Sequence, residues 1–323
     1  MTESQPAAAH PLRGYLLAML AAAGWAVGGL TAKWLFVTTG ADLDPATLSA
    51  SRALLSTIIL VVFLALFRRR ELVVRLRDLP FLACFGVLGL ALVHFTYFAT
   101  IQLTSVPTAI LLEYLAPILV LVVSVLVLGE RMTWALPIGV ALSVAGCALM
   151  VGAIGGDGLK VSPAGIGWGL ASAVFFALYT VMGKYAARRF SPWTLLTYGL
   201  GAATLFWLAY LGGLGPILNV LRDGRTFAAV TVMSVVSTIV PFGAFLAALH
   251  HIDATKASIT ATLEPVLAGI ASYLIPVLYA PLTALQLLGG GLVIAAVVVA
   301  QWPHLVAARA GRGAAAAQLP PPA

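Results

Sequence analysis

The sequence predicts an all-α integral membrane protein: ten transmembrane helices in two inverted five-helix repeats around a central cavity. Three observations lead there. Hydrophobic residues make up 61% of the chain and charged residues only 9%, against about a quarter charged in soluble domains. Apolar runs of spanning length recur from end to end, and mean hydropathy is +1.04. The two ends of the chain also resemble each other weakly but in order.

The first 13 residues are polar and read as a cytoplasmic N-terminal tail (1–13). The apolar run after them competes with a signal peptide, since AMLAAAG offers small residues for cleavage. The run is too long for a simple signal core and has a counterpart later in the chain, so it reads as the first span. A span needs about 20 mostly apolar residues. Ten segments qualify: 14–36, 45–67, 79–103, 106–128, 133–154, 163–185, 192–212, 226–250, 255–279 and 281–302. Between them stand TTGADLDP, RRRELVVRLRDLP, LTSVP, GERMT, IGGDGLKVSP, ARRFSPW, LGGLGP, HHIDATK and YAP, each mixing Gly, Pro, Asp or charge as connections do. The tail from 303 to 323 is low in complexity and reads as disordered.

With an even span count, 13 Lys and Arg fall on the side of the N-terminus and 4 on the other, with Arg52 left inside a span. The positive-inside rule then puts both termini in the cytoplasm of a bacterial-type inner membrane. The net charge of +7 reports orientation here. A nucleic-acid partner is excluded because the basic clusters lack a soluble fold to present them. Cys84 and Cys147 lie inside apolar runs, with neither disulfide nor metal-ligand spacing, and no cofactor or metal is expected.

At an offset of 151, Gly14 meets Gly165, Trp25 meets Phe176 and Lys33 meets Lys184. At 148, Pro117 meets Pro265, Ala116 meets Glu264, Ala99 meets Ala247 and Ala109 meets Ala257. Two five-helix halves follow, 14–154 and 163–302. Five is odd, so the second half enters the membrane upside down relative to the first. Inverted repeats with a solute bound between them near the midplane are a transporter design.

YLAP (Tyr114 to Pro117) followed by LGER (Leu128 to Arg131), with TLEPV (Thr262 to Val266) in the second half, resembles the EamA-type drug/metabolite transporter superfamily. The resemblance spans roughly residues 14 to 302 and is nearest to the amino-acid and metabolite exporters (YddG-like proteins). The second half departs from it, because Leu278 stands where the first half has Glu130. The resemblance implies export of small organic solutes through a cavity lined from both halves.

Ionised groups at mid-bilayer are costly and face a cavity or a partner by default. Glu113 and Glu264 are the acidic residues well inside spans. Each reads either as a solute-binding or proton-coupling group, or as a protonated carboxyl bonded to a neighbouring helix. Pro117 cannot donate to the carbonyl of Glu113, nor Pro241 to that of Ser237, nor Pro276 to that of Ser272. Pro117, Pro241 and Pro265 are therefore candidate hinges, with static curvature the rival reading. His94, Phe98 and Gln102 recur every four residues and so share one helix face, with Tyr97 beside them. Trp25, Tyr114, Phe176 and Tyr179 are candidates for an aromatic cavity wall, or for plain packing. Ser258 and Thr262 share a face, for close packing or for hydrogen bonds to a solute. Gly24 and Gly28 read as a close helix contact.

These residues favour a secondary exporter of small amphipathic metabolites, amino acids with apolar or aromatic side chains among them. The expected partners are the solute, the lipid bilayer and protons as a candidate coupling ion, in a monomer or weak dimer. A multidrug or cation exporter is the alternative within transport. A membrane-embedded enzyme using His250, His251 and Asp253 is the alternative outside it, though Asp253 reads more simply as a cap on the next helix. No G-x-x-x-x-G-K-[ST] loop is present for ATP. Phosphorylated solutes would need several embedded cations where only Arg52 stands.

Overall fold

The computed structural model describes residues 11–39, 43–154, 162–274 and 282–316, all helix and connection with no strand among them. The helices are α1 (Pro11–Thr39), α2 (Pro45–Phe67), α3 (Leu76–Leu103), α4 (Val106–Leu128), α5 (Ala135–Met150) and α6 (Pro163–Ala186). They continue as α7 (Pro192–Tyr210), α8 (Gly215–Leu221), α9 (Gly224–Ala248), α10 (Ala254–Ala261), α11 (Glu264–Leu274) and α12 (Ala284–Ala316). Among the described residues seven are long and apolar enough to cross a membrane, and α7 with α8, bent by 106°, makes an eighth if the pair is one span. The other two expected spans correspond to α5, of 16 residues, and to α10 with α11, which is interrupted at Thr262 and Leu263. The last helix stays helical through Ala316, past residue 302, where the sequence reading ends the span and begins a disordered tail.

Local chemistry explains the helix ends. Asp44 caps α2, accepting from the backbone N–H of Ala46 at 2.8 Å and of Thr47 at 3.0 Å, with Pro45 already in helical φ. Ser162 before Pro163 and Ser191 before Pro192 repeat the device. Gly129 ends α4 at φ 71°, and Gly212 and Gly213, at φ 71° and 128°, turn α7 into α8. Side chains with a Cβ resist these angles.

The repeat extends to backbone irregularities. A five-residue π-turn at Val87–Ala91 in α3 stands 148 positions before one at Val235–Ile239 in α9. In α4 the α-helix stops at Glu113 and resumes at Ala116. At the same offset α10 stops at Ala261 and α11 starts at Glu264. The breaks lie just before Pro117 and Pro265, where a proline ring disfavours helix in the residues that precede it. Pro241 follows the π-turn without interrupting α9. Pro276 lies outside the described residues.

Packing repeats too: α1 lies along α9 as α6 lies along α3, and α3 crosses α7 as α9 crosses α2. The small residues permit this. A Cβ on Gly24 would fall 2.7 Å from the Val236 carbonyl oxygen, and one on Gly28 would fall 2.9 Å from Ser237 Cβ. The two glycines thus set how closely α1 approaches α9.

Candidate functional site

The two halves meet around a small cavity of about 40 Å³. Trp25, Gly28 and Gly29 line it from α1, Arg52 from α2, and Val93, His94, Tyr97 and Phe98 from α3. Glu113, Phe176, Ser237, Phe242 and Glu264 complete it from α4, α6, α9 and α11. At about 10–15 Å³ per water, this conformation holds a few waters and no larger solute.

Its wall is a ring cluster. Trp25 meets its repeat partner Phe176 edge-on with centroids 5.6 Å apart, and Phe242 at 5.1 Å. His94 meets Phe242, which occupies the equivalent position of the other half, at 4.7 Å and near a right angle. Edge-to-face arrangements of this kind suit aromatic quadrupoles.

Arg52, Glu113 and Glu264 interrupt the rings. Arg52 is 4% exposed. Its Nη2 donates to the Ser237 carbonyl at 2.6 Å and its Nε to the Thr238 hydroxyl. The Ser237 carbonyl is the one that Pro241, lacking an N–H, leaves free. The guanidinium also lies over the rings of Phe98 and Phe242, 5.4 and 5.7 Å from their centroids, an arrangement that stabilises a desolvated cation. The Glu113 carboxylate accepts from the Ser172 hydroxyl, and Glu264 Oε2 accepts from the Tyr114 hydroxyl at 2.7 Å. Among the described residues no ion pair joins Arg52 to either carboxylate. Trp25 Nε1, His94 Nε2, the Tyr97 hydroxyl and the Ser237 hydroxyl, all on the lining residues, have no hydrogen-bond partner among the described residues.

Of the residues singled out from sequence, Trp25, His94, Tyr97, Phe98, Glu113, Phe176 and Glu264 line the cavity. Tyr114 lies behind it as the donor to Glu264. Tyr179 is buried in the ring cluster and donates to the Phe242 carbonyl at 2.9 Å. Ser258 is buried away from the lining, and Thr262 turns its hydroxyl back to the Ile259 carbonyl at 2.6 Å. Gln102 is exposed, because eight residues at 100° each rotate it about 80° from His94. Sequence reasoning missed Arg52, Ser237 and Phe242 as lining. Two signals were available: Arg52 as the cation inside a span, and Ser237 as the carbonyl that Pro241 releases.

One end of the bundle is tied across the halves. Glu130 accepts from the Ala254 N–H at 2.6 Å and the Thr255 hydroxyl at 2.8 Å, capping α10 from the opposite repeat. Burial pushes its carboxyl above the usual carboxylate range, against the pull of the Thr255 hydroxyl. Asp253, expected to cap α10, makes no side-chain cap bond and pairs with Lys256 at 2.5 Å. The Ser191 hydroxyl donates to Glu71, the Thr194 hydroxyl donates to it at 2.9 Å, and Arg189 pairs with Asp78 at 2.5 Å. His250 sets its ring nitrogens 2.9 and 3.2 Å from the Leu246 and Phe190 carbonyls. These contacts tie His250 to the backbones of α9 and of the segment before α7. At the other end the cross-repeat bonds among the described residues are neutral and longer: the Ser162 hydroxyl to the Leu103 carbonyl at 3.5 Å, and the Gln286 amide to the Met150 carbonyl at 3.3 Å. A cleft of about 790 Å³ opens there between α1, α2 and α8, lined by Trp34, Asp44, Asn219 and Asp223 among others.

The EamA-like transporter family matches the chain twice, over residues 12–152 and 163–301. The chain belongs to this family. This EamA-like protein is 33% identical to an uncharacterised transporter of Archaeoglobus fulgidus over 218 residues, 66% of this chain and 75% of that one. It is 24% identical to the inner membrane transporter YicL of Salmonella typhimurium, covering 81% of this chain and 87% of that one. Over 167 residues, 51% of this chain and 52% of the other, it is 31% identical to a protein of Streptantibioticus cattleyicolor named a "probable terminal-alkyne amino-acid exporter". A crystal structure that is 22% identical superposes with a TM-score of 0.72, over 92% of this chain and 98% of that one, a likeness of fold alone. The EamA-like chain is thus a multi-pass membrane transporter, of a family with bacterial inner membrane members.

Proposed function

We propose that this transporter exports small amphipathic metabolites, amino acids with apolar or aromatic side chains among them, by alternating access through the cavity between its halves. The observation that carries the reading is the lining itself: a ring wall for an apolar side chain, interrupted by a few placed polar groups, as small-molecule sites require. The amino-acid exporter name of one relative agrees with it. The halves, 14–154 and 163–302, are inverted relative to each other, with both termini in the cytoplasm and the tied end facing that compartment. The matched breaks before Pro117 and Pro265, and the π-turn before Pro241, are where helices bend as access alternates.

Uptake into proteoliposomes with a panel of labelled amino acids and lipophilic cations, with and without a pH gradient, tests the proposal. Flux of an aromatic amino acid is expected. Flux of cations alone would replace the reading with cation efflux, for which Glu113 and Glu264 would be the binding groups. Amino-acid flux that ignores the gradient and is unchanged in Glu113→Gln removes proton coupling through Glu113 and leaves export standing.

A further inference from the structure

We infer that the cavity is a two-pole site for a zwitterion, in which Arg52 takes the solute's carboxylate and Glu113 with Glu264 takes its ammonium. The inference rests on the proposed export of amino acids and adds which residue reads which end of the molecule.

The first argument is the separation of charge. Arg52, Glu113 and Glu264 line one cavity, yet no ion pair joins the guanidinium to either carboxylate among the described residues. In a low-dielectric interior, opposite charges that face a common space gain most from contact, directly or through a ligand that bridges them. Each is instead held back by neutral partners. The Ser237 carbonyl and the Thr238 hydroxyl hold Arg52, the Ser172 hydroxyl holds Glu113, and the Tyr114 hydroxyl holds Glu264.

The second argument is unused capacity. A guanidinium has five N–H donors in a planar fork, and the two bonds to Ser237 and Thr238 use two of them. Among the described residues, Trp25 Nε1, donor only, and the Tyr97 hydroxyl are unpartnered on the same lining. Trp25 is 8% exposed. Buried polar groups left without partners are uncommon and costly, and free donors on the wall of a cavity that also holds a guanidinium fit a carboxylate. The acceptors on the lining are the carboxylates of Glu113 and Glu264, each of which receives one bond, with lone pairs to spare for an ammonium's three donors.

The third argument is register. Arg52 cannot swing away, because the carbonyl that Pro241 frees and two ring faces fix it. A fixed fork on the same lining as two held carboxylates sets both the distance and the direction between the two charges of an acceptable solute.

Three compounds of one skeleton test it in proteoliposomes that take up labelled phenylalanine: unlabelled phenylalanine, 2-phenylethylamine, which lacks the carboxylate, and 3-phenylpropanoate, which lacks the ammonium. Each one-pole analogue is expected to need at least about tenfold more for half-competition, since omitting one charged hydrogen-bonding partner leaves its buried counterpart unsatisfied. Arg52→Gln is expected to weaken phenylalanine at least about tenfold and leave 2-phenylethylamine unchanged, erasing the preference. Arg52→Lys should restore part of it. Equal competition by either analogue against the unaltered protein overturns the two-pole site while export itself stands. Absence of any amino-acid flux overturns the export reading, and this inference with it. The ligand series needs no variant, so poor folding of Arg52→Gln cannot shield the proposal.

Discussion

After the π-turn of α3, from Val87 to Ala91, come Leu92 and Val93; after that of α9, from Val235 to Ile239, come Val240 and Pro241. In α9 the proline leaves the Ser237 carbonyl without its helical donor, and Arg52 of α2 fills the vacancy at 2.6 Å. One turn earlier, the Ser234 hydroxyl donates to the Arg52 carbonyl at 3.3 Å. In α3 the residues at the same repeat positions are Gly89 and Gly86. A Cβ on Gly86 would fall 2.3 Å from the Gly199 carbonyl oxygen of α7, and Gly199 stands seven residues after Pro192 as Arg52 stands seven after Pro45. One loosened helix thus serves two ends: contact between backbones in α3, capture of a cation in α9. Side chains decide which, and the duplicated backbone supplies only the opportunity.

The largest expected effect breaks the α3 side of this pair. Gly86→Ala drives a methyl into a backbone oxygen that has no rotamer to yield, and should cost about 1–3 kcal/mol in unfolding from detergent micelles, with solute preference unchanged. A loss smaller than that of Ser234→Ala would refute the backbone-contact account of α3. Next comes Pro241→Ala, which restores an N–H able to compete for the Ser237 carbonyl. Half-saturation for phenylalanine should rise about three- to tenfold, the equivalent of roughly 1 kcal/mol, while thermal stability holds or improves. An unchanged half-saturation means the freed carbonyl does not hold Arg52 in place. Glu130→Ala, at the tied end, should lower unfolding stability by about 1 kcal/mol and raise maleimide labelling of a cysteine introduced at Ser258, since α10 loses its cap. The smallest effect is that of Ser234→Ala, expected at about 0.5–1 kcal/mol because its hydroxyl bonds are long or internal to α9.

Much of the fold was legible because hydropathy and proline chemistry are local. Asp44 before Pro45, Ser162 before Pro163 and Ser191 before Pro192 announce helix starts in any context. The site was legible in part. Trp25, Phe176, Glu113 and Glu264 stand out because polar and large aromatic residues are few in such spans. The π-turns have no side-chain signature, since VLGLA and VVSTI read as ordinary helix. Arg52 was visible as an embedded cation, and the Ser237 carbonyl as a freed acceptor, yet they stand 185 residues apart and only the fold joins them. Gln102 was misplaced because a face argument carried over two turns accumulates drift. Asp253 was assigned a cap that Glu130 supplies from 124 residues away, a partner that no rule of sequence proximity suggests.

That cap has a consequence in time. The chain is made from its N-terminus, and Glu130 emerges 124 residues before the Ala254 N–H that it serves. At about 5–20 residues per second the interval is roughly 6–25 s, during which the first half sits in the bilayer with an unmatched carboxylate at its edge. The second half in turn enters with the first turn of α10 unfinished. Neither repeat can complete this end alone, so the bond that closes it forms only once the chain has been made as far as α10.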